Sequence, residues 1–336
     1  MDLSLYPLLF APVYKEHPWG GQRLAARYGR TGTPTICGES WEISAHVDGL
    51  SVVANGPLAG QTLNTLTEQL GAALTGTHAT HPHRFPLLFK LIDARENLSV
   101  QVHPNDDNAS LTGGEPKTEA WYVVDRTPGA LLFGGFKPGT TSETFRRAMA
   151  QGVAPQQLFQ LDVEPGDALF IPGGLVHAIG AGALIYEVQQ SSNTTYRLFD
   201  WGRLDAAGHP RPLHLDQAFQ VINPGLPEPR IIRTPAPSAD AHNLWQDVLS
   251  CRYFALRRLE LHHEVCIQPG GLSFYALFVL DGAVTLVAGK TVVPLSPGTS
   301  CLVPAGVPSF SLQPGSRNAS LLVTTLPGKP DPMVFS

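Results

Sequence analysis

Seven side chains stand out because their types and spacing could build one charged pocket. Gln101 and His103 are two residues apart and alternate with Val100 and Val102, so on a strand both project to the same face. Lys117 and Glu119 repeat that spacing, and His177 closes the run Pro165-Gly-Asp-Ala-Leu-Phe-Ile-Pro-Gly-Gly-Leu-Val-His177. Two imidazoles, a carboxylate and an amide form a nitrogen and oxygen set suited to a borderline divalent ion. Zinc leads, because its filled d shell gives Lewis acidity without redox chemistry; iron, manganese, cobalt and nickel stay open. Taken singly, each residue has a blander role: His177 as a core or surface histidine, Glu119 as a solvated strand residue, Gln101 as an amide of a kind that seldom binds zinc. Their coincidence favours the metal.

Three cations, Lys90, Lys117 and Arg197, interrupt otherwise apolar strands of a chain whose net charge is −5. Near a metal they would meet a bound phosphate or a developing oxyanion, although Lys90 could equally sit on an exposed face. His78, His81 and His83 form a His-rich tract ahead of a strand and read as a surface loop.

Positioning these groups takes short strands. Gly38–Ser44, Phe85–Asp93, Leu98–His103, Glu115–Val124, Asp167–Ile171 and Leu184–Gln189 are apolar or alternating runs bracketed by turn residues. Helical spacing predicts short helices over Thr62–Leu74, Thr141–Gln151 and, weakly, His214–Ile222. In a closed antiparallel barrel, inward positions of separate strands converge on one cavity. The frame also recurs: Pro297-Gly-Thr-Ser-Cys-Leu-Val-Pro-Ala-Gly-Val-Pro-Ser309 aligns without gaps on Pro165–His177. Ser309 stands where His177 does. The turn–strand–turn frame is therefore separable from the histidine.

With 336 residues the length fits about two domains. The expected organisation is a catalytic unit over 1–225, a Pro-rich linker over 226–241 and a C-terminal unit over 242–336. There are 33 glycines and 30 prolines, well above the usual share of about 12 %; spread without a period, they mark many turns. The acidic balance argues against a general nucleic-acid surface. Met1–Phe10 lacks a basic start and makes a poor signal peptide, and no run of about 18 apolar residues predicts a membrane span. Cys37, Cys251, Cys266 and Cys301 are scattered and read as buried thiols of a reducing compartment, so the expected location is cytoplasmic.

The Pro165–His177 stretch resembles the second conserved motif of the cupins, and Gln101-Val-His103 with Glu119 resembles a variant of the first. More closely, Trp19-Gly-Gly21, Gly38-Glu-Ser-Trp-Glu-Ile-Ser44, Gln101-Val-His-Pro104, Lys117-Thr-Glu119, Val176-His-Ala-Ile-Gly180 and Glu187-Val-Gln-Gln-Ser-Ser-Asn-Thr-Thr-Tyr-Arg197 are similar to the short bacterial type I mannose-6-phosphate isomerases. The likeness runs over most of residues 6–225, and the C-terminal unit resembles a degenerate cupin. It implies a mainly β protein of two cupin-type (double-stranded β-helix, or jelly-roll) barrels with a few short helices. It also implies one Zn2+ at His103, Glu119 and His177 with Gln101 as fourth ligand, Arg197 as catalytic, and Lys117 close to the chemistry. The implied reaction interconverts mannose 6-phosphate and fructose 6-phosphate through a metal-stabilised cis-enediolate. Lys117 is the first candidate for the base and a metal-bound hydroxide the second; Lys90 or Arg203 could anchor the phosphate. A sugar phosphate is the expected partner, with no nucleic acid or membrane and a monomer or small homo-oligomer. Two departures are visible: Pro116 precedes Lys117 where relatives often have glycine, and Asn105 follows His-Pro where an acid is common. A metal-dependent cupin dioxygenase and a non-catalytic sugar-binding cupin are the competing readings.

Overall fold

The computed structural model describes residues 5–204, 207–234, 243–315 and 318–328. The chain divides into two units, one of Met1–Val13, Trp41–Leu88 and Thr234–Ser336, the other of Tyr14–Ser40 and Phe89–Arg233. That division is not the contiguous one expected from the sequence. Two early segments group with the C-terminal residues because Leu8–Ala11 pairs in register with the Ser300–Val303 strand, Leu8 opposite Leu302. Such long-range pairing leaves no local signal. Of the expected linker, Ile232–Arg233 is a short strand on Asp167–Ala168, and residues 235–241 lie outside the described residues.

Both units are double-sheet β barrels, as expected. In the first, a seven-stranded antiparallel sheet faces a four-stranded one. The interior is apolar throughout, with Leu259, Leu277, Leu286, Val303, Phe310 and Leu321 all buried. Ser309 is exposed. The repeated motif thus keeps its frame, including the positive-φ turn glycines Gly166 (96°) and Gly298 (82°), but places no polar group inside this barrel.

The second unit carries the candidate residues. One sheet runs, in spatial order, Ile232–Arg233, Asp167–Ile171, Glu119–Arg126, Ala183–Gln190, Leu87–Asp93, Glu39–Ser44 and Val13–Lys15. The other runs Tyr196–Phe199, Val100–Val102, His177–Ile179, Leu131–Phe136 and Leu158–Asp162. The two-residue period of a strand decides what points inward. Ile92, Trp121, Val123, Leu132, Ile179 and Ile185 pack together between the sheets. Lys90, Glu119, His177 and Glu187 are two residues from Ile92, Trp121, Ile179 and Ile185, so they share the interior face. One end of this barrel is apolar and the other polar.

Val100 and Val102 pack the opposite way, against Phe145, Ala218 and Val221. Those residues belong to the helices Ser142–Ala150 and Leu215–Val221, which cover the outer face. The first starts at a capping box of Thr141 and Thr144 that satisfies backbone donors at its N-terminus. With the valines held outward, Gln101 and His103 have only the interior left.

Candidate metal centre

His103, Glu119 and His177 are fully buried, and one ligand atom from each lies within 4.8 Å of the others. His103 Nε2 is 3.5 Å from Glu119 Oε2, and His177 Nε2 is 3.4 Å from Glu119 Oε1. The far ring nitrogens fix the tautomers. His103 Nδ1 meets the Thr194 carbonyl at 2.8 Å and His177 Nδ1 the Leu175 carbonyl at 2.8 Å. A carbonyl only accepts, so each Nδ1 carries the proton and each Nε2 turns a lone pair to the centre.

Burial first, then the charges of Lys117 and the neighbouring His177, keep His103 well below the usual imidazole pKa. His177 is pushed down to about 3, mainly by burial. Burial, then the Glu187 carboxylate, push Glu119 up against the pull of Lys117. Neutral imidazoles and a desolvated carboxylate crowd their acceptors onto one point. Glu119 Oε1 is buried without a hydrogen-bond partner, which is costly unless a cation fills the gap, and Oε2 meets only the Lys117 ammonium at 2.9 Å. The donor set therefore fits a divalent metal.

Two donors occupy the margin of that point. Lys117 Nζ donates to His103 Nε2 at 3.3 Å and stands 2.9 Å from Glu119 Oε2. Gln101 Nε2 lies 3.3 Å from His177 Nε2, while its Oε1 accepts from Ser99 Oγ at 3.2 Å. To offer its oxygen to a metal, Gln101 would flip its amide, and the Ser99 hydroxyl can serve either orientation.

Strand register arranges the rest. His177 lies directly opposite Gln101, and Gln101 directly opposite Arg197, so the three form a row across adjacent strands on one face. Arg197 Nη1 donates to the Pro212 carbonyl at 2.7 Å. Lys90 is not on an exposed face. It is buried, 3.4 Å from Glu39 and 3.3 Å from Glu187, and those carboxylates outweigh the burial that would discharge it. Arg203 is bonded to Asp200 and the Asn97 carbonyl.

The His-rich tract stays outside the site: His81 and His83 are exposed, and His83 bonds the Glu68 carbonyl. All four cysteines are free; Cys37 and Cys301 are buried as expected, whereas Cys251 and Cys266 are only half-buried.

Sequence reasoning missed Glu187. Its Oε1 accepts from Trp121 Nε1 at 3.0 Å, and Trp121 in turn stands edge-on to His177 with ring centroids 5.3 Å apart. The signal was there, a lone carboxylate two residues after Ile185 in an apolar strand, but nothing local told its interior face from a solvated one.

A double-sheet antiparallel barrel with two imidazoles and a carboxylate converging at one end is a metal-site cupin. Residues 8–126 match the family described as "Phosphomannose isomerase type I, catalytic domain", and residues 246–321 match "Mannose-6-phosphate isomerase, cupin domain". The mannose-6-phosphate isomerase ManA of Bacillus subtilis is 38 % identical over 322 residues, covering 93 % of this chain and 97 % of that one. The crystal structure of the mannose 6-phosphate isomerase from Bacillus subtilis superposes with a TM-score of 0.83 at 32 % identity, over 95 % of this chain and 99 % of that one. A zinc-bound mannose 6-phosphate isomerase, 17 % identical, shares the fold with a TM-score of 0.72 over 95 % of this chain and 99 % of that one. The chain belongs to the type I mannose-6-phosphate isomerase family. Its reaction is the interconversion of mannose 6-phosphate and fructose 6-phosphate.

Proposed function

We propose that this isomerisation proceeds through a cis-enediolate at one zinc ion held by His103, Glu119 and His177, with Gln101 as fourth ligand. The observation that carries the proposal is the buried Glu119 carboxylate, whose Oε1 lacks a hydrogen bond while two imidazole Nε2 atoms, each with its lone pair turned inward, face its two oxygens. Two imidazoles and a carboxylate are a common catalytic zinc set, and a relative of the same fold is described as zinc bound. Cobalt, manganese or nickel would satisfy the same donors less selectively.

Aldose–ketose isomerisation needs a base to move a proton between C2 and C1 and a field that tolerates the enediolate. When bound, the ion supplies Lewis acidity to the sugar oxygens and lowers the cost of the negative charge. Lys117 is our candidate for the base, because its Nζ reaches both the His103 imidazole and the Glu119 carboxylate. Arg197, which shares a row with Gln101 and His177, would donate to O1 and O2 as charge develops; the register supports this reading. Lys90 bridges the Glu39 and Glu187 carboxylates and offsets part of their charge.

Dialysis against a chelator is expected to abolish turnover of mannose 6-phosphate, followed by coupling fructose 6-phosphate to a detection enzyme. Added zinc should restore it. A metal-free protein that keeps its original rate would refute the metal's role. With its thiols free, we place the protein in the cytoplasm, acting on a soluble sugar phosphate.

A further inference from the structure

The phosphate of the substrate is a dianion near neutral pH and needs a cationic partner. Lys90 is enclosed between Glu39 and Glu187. Lys117 is engaged by His103 and Glu119. Of the arginines, Arg197 is in the row itself, and Arg203 and Arg211 both bond Asp200 three residues on.

Asp200, 7 % exposed, accepts from Arg211 Nε at 2.7 Å and Nη2 at 2.6 Å, and from Arg203 Nη1 at 2.8 Å. Arg203 spends Nη2 on the Asn97 carbonyl at 2.7 Å and lies 3.6 Å from Glu96. Arg211 differs: its fork on Asp200 uses Nε and Nη2, and Nη1 has no partner among the described residues. Arg197 bonds the carbonyl of Pro212, the residue after Arg211, and its Nε is buried without a partner. Arg197 and Arg211 thus each keep a donor unspent, and the single Asp200 carboxylate faces Arg211, Arg203 and the field of Arg197, which leaves the cluster net cationic.

The backbone next to Asp200 takes up a strained conformation. Trp201 is the one non-glycine residue with a positive φ, 59°, among the described residues. It is held there by a 2.7 Å bond from its Nε1 to the Leu98 carbonyl and by packing on Phe133 and Phe199. Strain of this kind persists where the surroundings enforce it, often at a binding site. Here it falls within the turn closed by the Arg203 N–H on the Asp200 carbonyl at 2.9 Å.

The cluster also lies at the right end of the site. Arg197 sits two strands from His177, so their backbones are roughly 10 Å apart. His17, which pairs with Glu39 at 3.5 Å, lies within the fields of both Arg197 and Arg211 as well as that of Lys90. Arg211 precedes Pro212, whose carbonyl Arg197 Nη1 holds at 2.7 Å, so its backbone lies beside the Arg197 end of the row.

We propose that Arg211, clamped by Asp200 beside Arg197, anchors the phosphate of the substrate through its free Nη1. The proposal rests on the isomerase reading of the site. It divides the labour: Arg197 serves the reacting oxygens, Arg211 the phosphate, and Asp200 holds both Arg211 and Arg203 in place.

The test is Arg211→Met beside Arg211→Lys in the zinc-loaded enzyme, with metal content and melting temperature as controls. Arg211→Met should raise KM for mannose 6-phosphate on the order of 10–100-fold, the worth of a lost charge-assisted contact. Its kcat should stay within a few-fold, and inorganic phosphate should cease to compete. Arg211→Lys, which keeps the charge but not the fork, should fall between. An unchanged KM with phosphate still competing overturns the anchor, as does a loss confined to kcat. Calorimetry of inorganic phosphate binding separates this proposal from the reaction itself. If wild type binds phosphate and Arg211→Met does not, while neither turns over, the anchor stands and the isomerase reading falls. If wild type turns over and Arg211→Met binds phosphate equally well, the anchor falls alone.

Discussion

Replacing Arg197 with alanine is expected to lower kcat about 10²–10³-fold, the usual cost of removing one donor that meets developing oxyanion charge. Bound metal should be unchanged, because Arg197 is none of the three converging donors. The residue's position supports a role at the reacting end. It is directly opposite Gln101, which is directly opposite His177, so its side chain shares their face. A guanidinium stays protonated even though burial and the neighbouring Arg211 pull its pKa down. It can therefore donate at every stage of a proton shift between C2 and C1. A loss confined to KM, with kcat intact, would instead make Arg197 a partner of Arg211 in holding the phosphate. Comparing the two variants in one assay separates the roles: a kcat defect at 197 against a KM defect at 211.

The second large effect is expected at His177. Its replacement by alanine should remove the metal and cut activity on the order of 10³-fold, since Lewis-acid stabilisation amounts to several kcal/mol and each 1.4 kcal/mol is tenfold. Two features make the loss hard to offset. The ring is wholly buried, and the Leu175 carbonyl fixes its proton on Nδ1, leaving Nε2 for the centre. Glu119→Gln should act in the same direction without opening a cavity, because it keeps the volume and removes the charge. Metal content by elemental analysis and residual turnover check both. A fully loaded, fully active His177→Ala protein would show that the centre lies elsewhere.

The residues that converge here were legible to different degrees, for physical reasons. Gln101 and His103 share a face because a strand's period is two, which any alternating run shows. The repeat ending in Ser309 separated His177 from its structural frame, and Ser309 is indeed exposed in a barrel with an apolar interior. What local pattern could not contain was register. That Glu119 comes within 3.5 Å of both imidazoles depends on two sheets closing over each other. Glu187, Asp200 and Arg211 look like ordinary charged residues until the pairing of distant strands and a strained turn at Trp201 bring them in. Lys90 could have faced water or the interior; Ile92, two residues on, packs between the sheets and decides it. The division into units escaped for the same reason: Leu8 pairs with Leu302 across nearly the whole chain.

The central claim is a metal at the meeting point of His103 Nε2, Glu119 and His177 Nε2. X-ray diffraction from crystals of protein purified without added metal, collected on either side of the zinc absorption edge, tests it most directly. The account predicts a single strong anomalous peak at bonding distance from all three side chains, near 2.0–2.2 Å, that disappears below the edge. An empty centre, with Lys117 and Gln101 still donating to the imidazoles and the enzyme active, would contradict it.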